Sequence, residues 1–252
     1  LIDRSMFFSC AAKSIFAPHP LPSQVDTCNA LFDEWERLGQ TSMKQLAYVL
    51  ATPYHEVGAA MKPIDEIGRG RGKAYGLPAG PYGHIYFGRG LPQVTWLANY
   101  EKASKVVGVD LVRYPERAND LVISAKLQIH GMIYGTFTGA RLSDYLTDIK
   151  TDFFNARRII NWIDKAEEIE VFARKFWACL GGPAYMPLIK RGTVGQDVNR
   201  LQQALTVAGF YTGRVDGDFG PMTEQAVMQY QRTKGLDVDG VVGPDTRRGL
   251  GI

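Results

Sequence analysis

A chain of 252 residues is long for one hydrophobic core of ordinary size, so one large or two unequal domains are expected. Its apolar share of 45% and charged share of 22% are those of ordinary globular proteins and exclude a disordered chain. The net charge of +3, with Lys and Arg scattered among acids, provides no basic stripe, so no nucleic-acid partner is expected.

The run Met6-Phe7-Phe8-Ser9-Cys10-Ala11-Ala12 is short for the apolar part of a secretory signal and is interrupted by Lys13; it reads as a first helix, with no signal peptide. No run approaches the roughly 18 apolar residues of a membrane span, so no membrane insertion is expected. Cys10, Cys28 and Cys179 lie far apart without paired spacing. That pattern argues against a disulfide framework and a zinc site, suits a reducing compartment, and predicts three small buried apolar residues.

From Gln24 to Leu38 the apolar residues Val25, Cys28, Leu31, Phe32, Trp35 and Leu38 keep the spacing of a helix with one buried stripe. Met43, Leu46, Ala47, Leu50, Ala51 and Tyr54 repeat it, so that Glu56 emerges from the C-terminal end of a second long helix. Pro53 predicts a kink or register break just before that acid. The Gly- and Pro-rich stretch 62–84 reads as a long functional loop without regular elements. Its glycines do not make a phosphate loop, because no Gly-Lys-Ser/Thr follows. Helical periodicity returns at 98–107, 117–137, 152–160 and 165–180, and strand-like alternation is scarce.

Gly181 to Pro187 reads as a linker, with domains expected at 1–182 and 189–252 around a joint at 183–188. Beyond it, Val215-Asp216-Gly217-Asp218-Phe219-Gly220-Pro221-Met222-Thr223 recurs as Val238-Asp239-Gly240-Val241-Val242-Gly243-Pro244-Asp245-Thr246, with six of nine positions matching. Asp-Gly makes a tight turn and Gly-Pro stands where a helix would begin. With the periodic residues between and before the copies, this predicts a compact three-helix unit.

His55-Glu56 lacks the second histidine of a zinc-protease helix, since position 59 is Ala, and no Gly-x-Ser-x-Gly marks a serine nucleophile. A pair of carboxylates remains as the means of hydrolysing a stable bond. Glu56, beside an apolar stripe, suits the proton donor, and Glu66, on a polar loop, suits the base; both would equally serve as solvated surface residues.

A wider pattern adds to this. His55-Glu56, then Met61-Lys62-Pro63-Ile64-Asp65-Glu66, then the segment from Tyr86 to Trp96 with Gly88-Arg89-Gly90, Gln93 and Thr95, then Asn99-Tyr100, and finally Ala156 to Asn161 with Asp164-Lys165-Ala166 resemble glycoside hydrolase family 19. That family holds plant-type chitinases and many bacteriophage endolysins. The resemblance implies a mainly α fold with a lysozyme-like helical catalytic domain. It further implies an inverting mechanism with Glu56 as general acid, Glu66 as general base and Thr95 helping to hold water, the carboxyls standing roughly 6.5–9.5 Å apart. By the same matching, His55, Gln93, Asn99 and Asn161 would contact sugar hydroxyl and N-acetyl groups, and Arg89 would brace the loop. A one-residue shift would hand the base role to Asp65, and Trp162 stands where the family usually has glycine.

The C-terminal stretch, with Gly195-Gln196-Asp197-Val198, Leu201-Gln202, Gly209-Phe210-Tyr211 and both turn copies, resembles the peptidoglycan-binding type 1 domain. Tyr211 or Phe219, if exposed, would stack on a sugar face, and either would equally serve as core. The implied whole is a monomeric endolysin-type hydrolase of the β-1,4 bonds of bacterial peptidoglycan, needing no cofactor or metal, held in the host cytoplasm until lysis and then acting in the periplasm and cell wall. A chitinase and a non-catalytic wall-binding protein are the alternatives.

Overall fold

A computed structural model describes residues 2–184 and 186–252. The protein is mainly helical and divides into two compact units, Leu1–Tyr185 and Met186–Ile252. Tyr185, within the expected linker, lies outside the described residues.

The N-terminal unit contains α1 (Arg4–Ser14), α2 (Pro22–Arg37), α3 (Met43–Glu56), α4 (Leu97–Val107), α5 (Leu121–Tyr134), the single turn α6 (Leu142–Tyr145) and α7 (Ala166–Cys179). Local chemistry starts several of them. The Asp3 carboxylate accepts from the Met6 amide at 2.9 Å, Ser42 Oγ accepts from the Gln45 amide at 3.3 Å, and Pro22 occupies the first turn of α2.

The amphipathic stripe of α2 is buried as its spacing predicts, with Cys28, Leu31, Phe32 and Trp35 inside. Every residue of α3 from Leu46 to Pro53 is buried, which makes it the central helix of the unit. It packs along α7, and α1 packs on α7 in turn. Aromatic edges fill the junction, with Phe7 and Phe32 centroids 4.9 Å apart and Tyr54 and Phe172 4.8 Å apart. A second cluster, with Tyr86, Tyr100, Leu111, Ile123 and Leu127, lies against α4 and α5.

Three expectations are corrected. Pro53 produces no break: α3 continues to Glu56 and closes with the Val57 amide on the Pro53 carbonyl at 3.1 Å. The proline stands in the last turn, where its missing donor removes one bond and little helix follows. Residues 152–160 do not form an α-helix but hold a 3-10 helix at Asn155–Ile159. Phe153, Ala156 and Ile159 are all fully buried, and their spacing of three matches a three-residue turn better than 3.6. The third correction concerns the cysteines. Cys10 and Cys179 form a disulfide with Cα atoms 5.3 Å apart, and only Cys28 is free and buried. Helix packing brings α1 beside α7 across 169 residues, and cysteine spacing carries no trace of that.

Inside the glycine-rich stretch, β1 (Ile64–Asp65) pairs antiparallel with β2 (Arg89–Gly90), placing Asp65 opposite Arg89. The loop between them is thereby tied at both ends, although the sequence predicted no regular element there.

The C-terminal unit holds α8 (Gln196–Val207), α9 (Pro221–Lys234) and α10 (Pro244–Leu250), the last two beginning at the repeated Gly-Pro. Each turn copy wraps a buried glutamine. Gln202 Oε1 accepts from the Asp216 and Gly217 amides at 3.0 and 2.9 Å, while its Nε2 donates to Asp216 Oδ1 at 2.9 Å and to the Asp218 carbonyl at 3.0 Å. Gln231 repeats the arrangement with the Gly240 amide at 3.0 Å, Asp239 Oδ1 at 2.8 Å and the Val241 carbonyl at 3.0 Å. The Asp216 carboxyl is held below its usual range by the Asp218 amide and then by Gln202. The amides of these turns thus find partners that short loops lack on their own.

Two stability outcomes are expected. Replacing Cys10 and Cys179 by Ser should lower unfolding free energy by about 2–5 kcal/mol in chemical denaturation, with the wild type shifting equally under reductant. Gln202→Ala should destabilise the C-terminal unit by about 1–3 kcal/mol for each orphaned amide, read as an earlier melting of amide signals from residues 186–252 than from the rest.

Candidate active site

The geometry begins at Arg89, which is buried. Its Nη1 donates to Tyr100 Oη at 3.0 Å and to the Ile85 carbonyl at 3.2 Å, its Nε lies 3.5 Å from Asp65 Oδ1, and its guanidinium stacks 3.5 Å from the Phe87 ring centroid. Tyr100, whose phenol burial pushes up to about 12, donates its own hydrogen bond to the Phe87 carbonyl at 2.8 Å. Arg89 therefore acts as a brace of the loop.

The flanking glycines are fixed by contact. A Cβ on Gly90, whose φ is +80°, would stand 2.5 Å from the Ala118 carbonyl, and one on Gly88 would stand 2.8 Å from Gln93 Oε1 and 3.2 Å from Glu66 Cβ. The Gly90 amide donates to Asn119 Oδ1 at 2.8 Å and the Leu91 amide to Ser124 Oγ at 2.6 Å. Gln93, itself at φ +51°, donates from Nε2 to the Ile64 and Gly90 carbonyls at 3.0 and 2.8 Å. Both its N–H groups are spent closing the loop, so only Oε1 is left for another partner.

Strand alternation sends the neighbouring acids apart. Asp65 turns into the brace, meeting Arg89, Arg69 Nη2 at 3.3 Å and Asn119 Nδ2 at 2.7 Å. Glu66, just past β1, accepts from the Gly88 amide at 3.1 Å on one oxygen and from Tyr75 Oη at 2.7 Å on the other. That bond to Glu66 is the first cause of the raised Tyr75 phenol, with desolvation second. Tyr75, Asn119 and Ser124 were not singled out by sequence, and no spacing signal marks them.

Glu56, at the end of α3, is half-buried and ion-paired through Oε1 with Arg157 Nη1. The apolar setting expected for it is thus replaced by a guanidinium. Arg157 is buried in the 3-10 helix Asn155–Ile159, and its Nε donates to the Asp164 carbonyl at 2.8 Å. In the sequence it lies within the Ala156–Asn161 segment that carries the family resemblance, which gave it no role. Asn161 follows one turn later, exposed, with its amide on the Arg157 carbonyl at 3.0 Å and its Oδ1 accepting from the Trp162 amide at 2.9 Å. His55 Nδ1 lies 3.9 Å from Glu168 Oε2, beyond hydrogen-bond length.

Thr95, Gln93 and Asn99 line one cavity of about 180 Å³, together with Lys102, His130 and Ile160. Ile160 directly precedes Asn161, so the Arg157–Asn161 segment that contacts Glu56 also forms part of this wall. Glu66 Cβ and Gln93 Oε1 both crowd the point where a Cβ on Gly88 would stand. The remaining sequence-predicted residues of this unit, Glu56, Glu66, His55 and Asn161, do not line the cavity itself. Burial lowers the His130 imidazole, which favours its neutral form near neutrality.

In the C-terminal unit, Tyr211 and Phe219 are core residues, contrary to a stacking role. Tyr211 Oη is held by Gln202 and by the Arg214 carbonyl at 2.9 Å, and Phe219 is fully buried, so neither offers a free ring face.

Residues 194–250 match the family described as putative peptidoglycan binding domain, a match wholly inside this unit. Among curated proteins, the N-acetylmuramoyl-L-alanine amidase CwlM of Mycobacterium tuberculosis is 46% identical over 78 residues, 31% of this chain and 17% of that protein. The spore cortex-lytic enzyme of Bacillus cereus is 48% identical over 63 residues, 25% of this chain and 24% of that enzyme. The chain therefore spans less than a quarter of the length of these relatives. Of solved structures, chitinase C from Streptomyces griseus is 19% identical with a TM-score of 0.47, covering 74% of this chain and 95% of that one. The SleB N-terminal domain is 46% identical with a TM-score of 0.26, covering 26% of this chain and 89% of that one. Likenesses of this extent carry nothing about chemistry.

Gly90→Ala should cost about 1–3 kcal/mol from backbone strain alone, and more with its contact at Ala118. The expected readout is a lowered thermal midpoint with chemical-shift changes concentrated at 64–66 and 88–95.

Proposed function

We propose that this chain is a peptidoglycan hydrolase that cleaves β-1,4 bonds between amino sugars with inversion, its C-terminal unit serving as a wall anchor. The catalytic half is supported by a cavity lined by Gln93, Thr95, Asn99 and Ile160. Glu66 accepts from Gly88 in the same loop as Gln93 and Thr95, and Glu56 pairs with Arg157, three residues before Ile160. The anchor rests on the match over residues 194–250.

In this mechanism Glu56 donates its proton to the leaving glycosidic oxygen. Arg157 occupies Oε1, so the proton is delivered from Oε2. Glu66, fixed by the Gly88 amide and Tyr75, takes a proton from water held by Thr95, and the water oxygen bonds to the anomeric carbon from the opposite face. Asn99, Asn161, His55 and Gln93 Oε1 supply polar contacts to hydroxyl and N-acetyl groups. Asp65 is committed to Arg89 and Asn119, which favours Glu66 over it as the base. The Cys10–Cys179 disulfide suits a working site outside the reducing cytoplasm, such as the periplasm. Anchoring raises the local concentration of the catalytic unit on an insoluble polymer.

Glu56→Gln and Glu66→Gln should each lower turnover of purified sacculi by about 10²–10⁴-fold while sacculus binding persists, whereas Asp65→Asn should keep turnover and lose stability. Turbidity, pull-down and product masses are the measurements. Wild-type rates in Glu56→Gln, or products carrying a freed peptide amine instead of a new reducing end, would overturn the glycosidase assignment. Faster release from chitin oligomers than from sacculi would favour a chitinase.

A further inference from the structure

One cleft in the C-terminal unit is not accounted for by the helix-starting turns. It holds about 680 Å³, within the usual range for ligand pockets, and is formed by α8, the end of α9 and the region of α10. Its lining contains two cations, Arg200 and Lys234, and no carboxylate side chain. Both cations are exposed, and the acid paired with Arg200 is Asp197, 3.9 Å away and itself half exposed, a contact too weak to occupy the guanidinium. Lys234 Nζ stands 5.9 Å from the Tyr230 ring centroid, over the same floor.

The floor is apolar, with Ala204, Phe210 and Leu250 among its residues. Tyr230 belongs to it and is only 1% exposed, with Phe210 edge-on at 5.3 Å, so no ring face is available for stacking on a sugar. The Tyr230 hydroxyl is buried without a partner, which is rare and asks for one. It lies against Gly249, where a Cβ would come within 2.5 Å, so a side chain at that position would crowd the hydroxyl.

Two exposed cations, no acidic side chain and an apolar lining without a free aromatic face together suit a short acidic peptide with small apolar side chains. We infer that this cleft takes the peptide stem of peptidoglycan and that Arg200 and Lys234 bind its carboxylates. The glycan strand itself is a poorer fit, since its lactyl carboxyl is consumed in the amide that bears the stem. This inference rests on the wall-anchoring reading of the unit and names its ligand.

The test uses the full chain carrying Glu56→Gln, titrated with the synthetic tetrapeptide Ala-γ-Glu-Lys-Ala and followed by amide chemical shifts. Saturable shifts lining the cleft are expected, weakening as salt rises, and the double variant R200Q/K234Q should bind at least tenfold more weakly. Ala208→Glu, an exposed change that adds a negative charge to the lining, should give the same loss without touching either cation. Undiminished tetrapeptide binding in both variants would overturn the cleft assignment. Retention on intact sacculi without any tetrapeptide binding would overturn the stem as ligand and leave the anchor standing. Failure to bind sacculi at all would remove the anchoring reading itself.

Discussion

One buried guanidinium organises the N-terminal unit's candidate site. Arg89 sits where two-residue strands meet, and such a short ladder would not persist on two residues of pairing alone. The charge supplies what the ladder lacks, reaching Asp65 across the strands, Tyr100 on α4 and the Ile85 carbonyl behind. Burying a charge is costly unless it is paired, and the Asp65 carboxylate, the oxygens on Nη1 and the stacked Phe87 ring offset that cost. Everything that points Glu66 and Gln93 follows from the strand pair so held.

The two glutamates are presented in different ways. Glu66 is oriented by a backbone amide and a phenol, partners that fix direction without neutralising charge. Glu56 is oriented by a cation whose own position is set from a carbonyl seven residues along its chain. A buried ion pair of this kind is weak evidence for stability, and its use here is geometric: it leaves one oxygen of the carboxyl engaged and the other open.

Much of the helical framework could be read from apolar spacing, because α2, α3, α4 and α7 bury stripes whose period is their own. The 3-10 helix carrying Arg157 was misread since its buried residues repeat every three positions, a pattern that a short window cannot separate from 3.6. Within the site, sequence singled out the acids, Gln93 and Thr95 but not Tyr75, Asn119 or the role of Arg157. Those act through distances spanning 9, 54 and 101 residues, and polar partners so separated leave no local pattern. The disulfide was invisible for the same reason. For Tyr211 and Phe219, aromatic residues in a polar, glycine-rich context, the sequence left surface and core equally open, and packing makes both core.

The paired glutamines of the C-terminal unit have one more consequence. Asp216 follows its glutamine by 14 residues and Asp239 follows its own by 8, yet the same carboxylate-to-amide grip closes both. The spacer can therefore lengthen or shorten without disturbing what lies on either side, as the extra segment housing Tyr211 in the first half demonstrates. Such a unit can absorb insertions between clamp and turn, which makes that position the natural place to graft a foreign loop.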